Sequence, residues 1–114
     1  MKSHPPVFGL LTDFGFDFAV ASMKAVILKS VPDAQIVDID HSLTKFSILS
    51  AAFILDKTHQ FFPVHTYFIA VVDPGVGTKR APLFVQTPNY SFVGPNNGVF
   101  SALLTRYPMH GLSH

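Results

Sequence analysis

The stretch TYFIAVVDPGVGTKR, residues 66–80, decides how the chain is read. From Thr66 to Val72 the residues are almost all apolar and of strand length, and the run stops at Asp73. Pro74, Gly75, Val76, Gly77, Thr78, Lys79 and Arg80 then form a loop. Near-continuous apolar runs mark strands buried on both faces, as in parallel sheets covered by helices.

Upstream, the same grammar occurs twice. Val7 to Leu11 reads as a buried strand that ends at Asp13 and feeds a tight turn through Thr12-Asp13-Phe14-Gly15. From Asp17, a candidate N-cap, to Ser30 the spacing predicts a helix with Val20, Met23 and Ile27 on one face. Gln35 to Ile39 predicts a second strand running into Asp40-His41-Ser42, and Phe46 to His59 a second helix carrying Leu49, Ala52, Phe53 and Ile54. Downstream, Pro82 to Gln86 and Tyr90 to Val93 flank Thr87-Pro88-Asn89 as a hairpin, and Asn97 to Arg106 predicts a closing helix. Strand, helix, strand, helix, strand with right-handed crossovers makes an α/β domain: a mostly parallel sheet flanked by helices, three-layer αβα-like, with an added hairpin.

Composition bounds the function. With 48% hydrophobic and 13% charged residues among 114, the chain builds one core and reads as a single unit, residues 1–114. A formal charge of +1 from scattered Lys and Arg argues against nucleic acid or an anionic membrane as partner. Zero cysteines excludes disulfides and thiolate metal sites and fits the cytoplasm. No signal peptide is expected from Met1-Lys2-Ser3-His4-Pro5-Pro6, and no apolar run reaches the roughly 18 residues of a membrane helix.

Ligands of parallel sheets sit beyond the carboxyl ends of the strands. The polar loops there are Thr12 to Gly15, Asp38 to Ser42 and Asp73 to Arg80, with Gly94-Pro95-Asn96-Asn97-Gly98 joining them if the hairpin returns to the same rim. The 73–80 loop is no Walker A sequence, because Gly75 and Gly77 stand two apart and Thr78 precedes Lys79. It is no dinucleotide fingerprint either, since arginine occupies position 80 and Pro82 follows. No G-x-S-x-G elbow occurs, and His41, His59 and His65 lack metal-ligand spacing, so no metal is expected. What remains is a strand-end carboxylate, two glycines that let backbone N–H groups approach a ligand, and a guanidinium that Asp73 can pair with. The same residues also fit a plain turn beside a solvated cation.

Four ordered blocks carry a resemblance: LLTDFGFDFAVASMKAVIL (10–28), VPDAQIVDIDHSLTKF (31–46), FFPVHTYFIAVVDPGVGTKR (61–80) and FVGPNNGVFSALL (92–104). Together they resemble the S-adenosyl-L-methionine hydroxide adenosyltransferases, relatives of the bacterial fluorinase and chlorinase. The resemblance implies attack of water or hydroxide on the 5′ carbon of S-adenosylmethionine, releasing adenosine and methionine, without metal or cofactor. It implies that Asp13 binds the ribose hydroxyls and that Phe46 walls the sugar and sulfonium. It gives Asp73 and Arg80 the task of positioning and polarising the water, and it places Gly75, Val76, Gly77 and Thr78 in the substrate loop. Asn96 and Asn97 are further candidates for the nucleoside pocket, against a plain turn, while Lys24 and Asp17 read as helix-surface and capping residues. Asp73 favours water over halide, because the halogenases lack that aspartate.

The family further implies a trimer whose site lies between the N-terminal domain of one subunit and the C-terminal β-barrel of its neighbour. The barrel and the family's catalytic histidine are expected beyond position 114, since neither His110 nor His114 sits in the matching motif. A non-catalytic nucleoside-binding or oligomerisation module therefore stands as the alternative to the hydrolase.

Overall fold

The computed structural model describes residues 4–14, 18–42, 48–72, 82–107 and 112–113. The elements run β1 (Val7–Thr12), α1 (Phe18–Ser30), β2 (Gln35–Asp40), α2 (Ile48–His59), β3 (Thr66–Val71), β4 (Pro82–Gln86), β5 (Tyr90–Pro95), α3 (Ser101–Arg106) and β6 (Leu112–Ser113). They form one sheet in the order β2-β1-β3-β5-β4-β6. The four strands β2, β1, β3 and β5 are mutually parallel, and β4 pairs antiparallel with both β5 and β6. The α/β sheet with its added hairpin follows the strand pattern expected of the chain. The two-residue β6 is too short to show any sequence period.

Alternation along the strands sorts the side chains into two faces. Phe68 and Ala70 of β3 join Leu11, Leu83, Val85, Tyr90 and Phe92 in one core, closed by Ala51 and Leu55 of α2 and by Val99, Phe100 and Leu103 around α3. Leu10 points to the opposite face and is fully buried, as are Val20 and Ile27 of α1 nearly so. Lys24 of α1 reaches Asp38 of β2 on that same side, which makes the sheet the middle of three layers.

Two helices depart from the expected pattern. In α2 the buried stripe is Ala51, Ala52, Leu55, Asp56 and His59, while Leu49 and Phe53 are 80% and 60% exposed. The small alanines let the helix axis approach the sheet, and the larger apolar residues are rotated outward, with Lys57 over the Phe53 ring. The closing helix begins at Ser101 and not at Asn97, because the Asn97 side chain is engaged in a turn and Gly98 has φ of 97°. The Asp17 N-cap lies outside the described residues.

His59, at the end of α2, is fully buried among Phe68, Tyr90, Phe92 and Tyr107. Its Nδ1–H donates to the carbonyls of Asp56 (2.8 Å) and Leu55 (3.1 Å), and Nε2 accepts from the Tyr107 hydroxyl (2.8 Å). Three residues earlier on the helix, Asp56 holds Arg106 of α3 through Nε at 2.7 Å and Nη2 at 3.1 Å. These contacts tie α2 to α3 by polar groups whose partners are fixed in number and direction.

Burial holds His59 below the ordinary histidine value of 6.5, against the pull of its carbonyl partners and Asp56. The ring is thus neutral in the fold and takes a proton more readily in the unfolded chain, so stability is full above 6.5 and is lost as pH falls from there toward the lowered native value. Chemical denaturation between pH 7.5 and 5 should show that decline, and His59→Gln should flatten it; an equal slope in both proteins would contradict the assignment. A second expectation concerns Gly94 of β5. A Cβ there would run into the Ala70 carbonyl of β3 and lie 3.1 Å from the Phe100 ring. Gly94→Ala is expected to destabilise by about 1–3 kcal/mol, as overpacking does, and a thermal melt reads it.

Candidate functional site

Parallel pairing brings the carboxyl ends of β1, β2, β3 and β5 to one rim. The chain leaves β1 for β2 on one side and crosses back to β3 on the other, so the crevice between β1 and β3 is the topological switch point of the sheet. Asp13 stands there, half-buried, directly after β1. Its backbone N–H donates to the Val71 carbonyl of β3 at 3.3 Å, which extends the β1–β3 pairing by one bond beyond the strand end. The next amide, that of Phe14, donates to the Thr12 hydroxyl at 3.2 Å. Asp13 is therefore held by the bonds of its own and its neighbour's amide.

The β2 side of the rim was visible in the sequence only as a polar loop, and the structure makes it a connected chain of side chains. Pairing of β1 with β2 shifts register between Leu10 and Leu11, whose partners are Asp38 and Asp40. The extra residue, Ile39, turns the end of β2 so that Asp38 and His41 face the same side. His41 is fully buried, with Nδ1 at 2.6 Å from Thr12 Oγ1 and Nε2 at 2.6 Å from Asp38 Oδ1. Lys24 Nζ donates to the other Asp38 oxygen at 2.7 Å. Lys24, expected as a plain helix-surface residue, is thus a partner of the rim. Burial raises the Asp38 carboxyl, but the hydrogen bonds from Lys24 and His41 outweigh it and keep the group below 3.8, in its ionised form. The readable signal was Asp38 between the apolar Val37 and Ile39, a carboxylate that requires a partner where it packs.

Asp40 serves the loop itself. Its Oδ1 accepts from the Ser42 amide at 2.8 Å and the Ser42 hydroxyl at 2.7 Å, and those bonds lower its carboxyl below 3.8.

The loop after β5 joins the same rim because β5 runs parallel to β3. Asn97 Nδ2 donates to the Val72 carbonyl at 2.7 Å, and its Oδ1 accepts from the Val99 amide at 3.2 Å. Both ends of the amide are therefore engaged by backbone, and Asn97 holds Val72, the residue directly after β3. Asn96 is exposed beside it. Asp73, Gly75, Val76, Gly77, Thr78 and Arg80 lie outside the described residues, as does Phe46. The structure thus brings Asp13, Asn96 and Asn97 to one rim, together with Thr12, Asp38 and His41, which the sequence had not singled out as site residues. Among the described residues no group of three or more His, Asp or Glu side chains could hold a metal ion, and no helix is long and apolar enough to cross a membrane.

Comparison with known proteins agrees with this geometry. The chain is 38% identical over 101 residues to the (R)-S-adenosyl-L-methionine hydrolase of Methanocaldococcus jannaschii, covering 83% of this chain and 38% of the relative. It is 38% identical over 97 residues to the protein of the same name from Thermus thermophilus, covering 84% and 37%. The crystal structure of an uncharacterized conserved protein from Thermotoga maritima superposes with a TM-score of 0.82 at 37% identity, covering 93% of this chain and 40% of that one. The chain therefore spans less than two fifths of the length of the curated relatives it matches. The match of residues 8–112 to the SAM hydroxide adenosyltransferase N-terminal domain takes in every described strand of the rim, and the chain belongs to that family.

Proposed function

We propose that this chain is the nucleoside-holding N-terminal domain of an S-adenosyl-L-methionine hydrolase. The observation that carries the reading is the position of Asp13: a carboxylate at the switch point of a parallel sheet, with its own amide tied to β3 and the next amide, that of Phe14, tied to Thr12. An ionised carboxylate accepts hydrogen bonds from both ribose hydroxyls at once, which few single side chains do.

In the proposed reaction a water oxygen attacks C5′ of S-adenosylmethionine. The C5′–S bond breaks with its electron pair going to sulfur, methionine leaves as a neutral thioether, and the water proton passes to solvent. Because the sulfonium is already a good leaving group, the enzyme's task is to hold the water in line and to exclude competitors. Asp73 and Arg80 are assigned that task, Arg80 by stabilising hydroxide character on the attacking oxygen. Gly75, Val76, Gly77 and Thr78 are assigned to the backbone cradle around the substrate, Phe46 to the wall beside the sugar, and Asn96 to the nucleoside rim. Asn97 is assigned to holding the start of the 73–80 loop through the Val72 carbonyl. No metal or cofactor enters the scheme. The names of the 38%-identical relatives support water over halide as the nucleophile.

Assembly as a homotrimer is part of the same proposal, with the site completed by a C-terminal β-barrel of a neighbouring subunit. Large apolar side chains at the surface support association, among them Phe61 at 89% and Phe18 at 82% exposure. Cytoplasmic residence is proposed from the absence of cysteine across 114 residues.

Calorimetry with adenosine and 2′-deoxyadenosine tests the ribose assignment. Wild type is expected to bind the deoxy compound more weakly by about 1.5–3 kcal/mol, and Asp13→Ala to bind adenosine weakly and lose most of the difference. Equal binding of both nucleosides by wild type would return Asp13 to a turn residue. In a turnover assay that follows adenosine and methionine, Arg80→Ala should reduce the rate by roughly two orders of magnitude. Binding without turnover would identify a non-catalytic nucleoside module, and 5′-chloroadenosine formed in chloride buffer would overturn water as the nucleophile.

A further inference from the structure

We infer that Lys24, Asp38, His41 and Thr12 form a hydrogen-bond relay that positions the Asp13 carboxylate, with His41 held as the Nε2–H tautomer. The inference rests on the nucleoside reading of Asp13 for its functional meaning, but the relay itself is a statement about this chain alone.

Direction follows from the inventory of donors and acceptors. Asp38 is ionised and accepts only, so the 2.6 Å contact to His41 Nε2 requires a proton on that nitrogen. In the neutral ring Nδ1 then carries a lone pair, and the 2.6 Å contact to Thr12 Oγ1 requires the hydroxyl to donate. With its one hydrogen committed to His41, Thr12 Oγ1 offers a lone pair to the Phe14 amide, which lies 3.2 Å away. The order is therefore Phe14 N–H to Thr12 O–H to His41 Nδ1, and His41 Nε2–H to Asp38, with Lys24 holding the far oxygen. Reversal of the His41 tautomer would set an N–H against the Thr12 oxygen and an unprotonated nitrogen against a carboxylate.

Burial makes the direction consequential. Thr12 and His41 are both fully buried, whereas Asp38 and Lys24 keep 29% and 34% of their side chains exposed. A misdirected hydroxyl inside has no water to turn to, so the partly solvated pair at the outer end sets the orientation of the inner groups. Among the described residues, the groups that face His41 include Asp38 and the Asp40 carboxylate of β2, Thr12 of β1, and Lys24 of α1 acting through Asp38. Asp13 sits between two fixed amides, its own on Val71 of β3 and that of Phe14 on Thr12. Loss of the second leaves the Asp13 backbone, and so the direction of its side chain, held from one side only. Thr12, His41, Asp38 and Lys24 are thus assigned as positioning residues that act through the Phe14 amide.

The test uses the whole chain labelled with 15N. Long-range proton–nitrogen correlation is expected to show His41 Nε2 protonated and Nδ1 unprotonated at pH 7.5. Amide exchange at Phe14 is expected to be slowed in wild type and to rise roughly tenfold in Thr12→Val, the scale of one lost hydrogen bond, with Thr12→Ser restoring protection. Asp38→Ala, at a partly exposed site and with its melting temperature checked, should populate both His41 tautomers and raise Phe14 exchange. The adenosine to 2′-deoxyadenosine discrimination should shrink in Thr12→Val and return in Thr12→Ser. A wild-type His41 protonated on Nδ1, or Phe14 exchange unchanged in both Thr12→Val and Asp38→Ala, overturns the relay. If the tautomer and the exchange behave as expected while wild type binds neither nucleoside, the relay stands and the nucleoside reading of Asp13 fails.

Discussion

Parallel pairing of β3 with β1 on one side and β5 on the other is the constraint on which the rim depends. It places Thr12, Val71 and Pro95 at one end of the sheet, so that the residues directly after β1 and β5 can reach the end of β3. Two bonds show the consequence. The Asp13 amide reaches the Val71 carbonyl, and the Asn97 side chain reaches the Val72 carbonyl, so the last residues of β3 are held from both neighbouring turns. Burial of Phe68, Ala70 and Val72 on the α2 and α3 side anchors β3 itself. Those side chains are removed from water almost completely, which makes displacement of the strand expensive and keeps the rim in place.

Polar groups in the interior are distributed by the same logic. His59 and Asp56 close the α2–α3 side, while His41 and Asp38 close the β1–β2 end on the α1 side. Each buried ring has partners on both nitrogens, and among the described residues no buried side-chain nitrogen or oxygen lacks a hydrogen-bond partner. Satisfied networks of this kind have one low-energy arrangement, because any rotation leaves a donor facing a donor in a medium without water. The two networks differ in their outlets. The His59 cluster is lined by aromatic rings and stabilises the packing of two helices, whereas the His41 chain ends in a partly exposed ion pair and begins at the turn that carries Asp13.

The outer surface differs in character from the rim. Leu49 and Phe53 project from α2, Phe18 from the start of α1, and Phe61 from the turn before β3, all well exposed. Single exposed apolar residues are ordinary in monomers, and several large ones on one chain support the association proposed above. The number of subunits in the proposal comes from the family resemblance.

Apolar run lengths and strand-end polar loops determined the α/β class, the strand order along the chain and the placement of Asp13 at the rim, whereas the loop of Asn97 joins that rim only because β5 pairs parallel with β3. These are local consequences of burial and turn chemistry, and a strand buried on both faces is legible because water excludes its side chains wherever the partner strands come from. The four-block resemblance identified the family on the same residues. Only the tertiary structure decided which face of α2 is buried, because Leu49 and Phe53 are as apolar as Leu55 and the choice depends on how closely the alanines let the helix approach the sheet. It alone decided that Asn97 is committed to the Val72 carbonyl, and that Lys24 and His41 meet at Asp38. Such contacts join residues far apart in the chain, and the one-residue register shift in β2 that brings Asp38 and His41 to one side leaves no mark in composition or period.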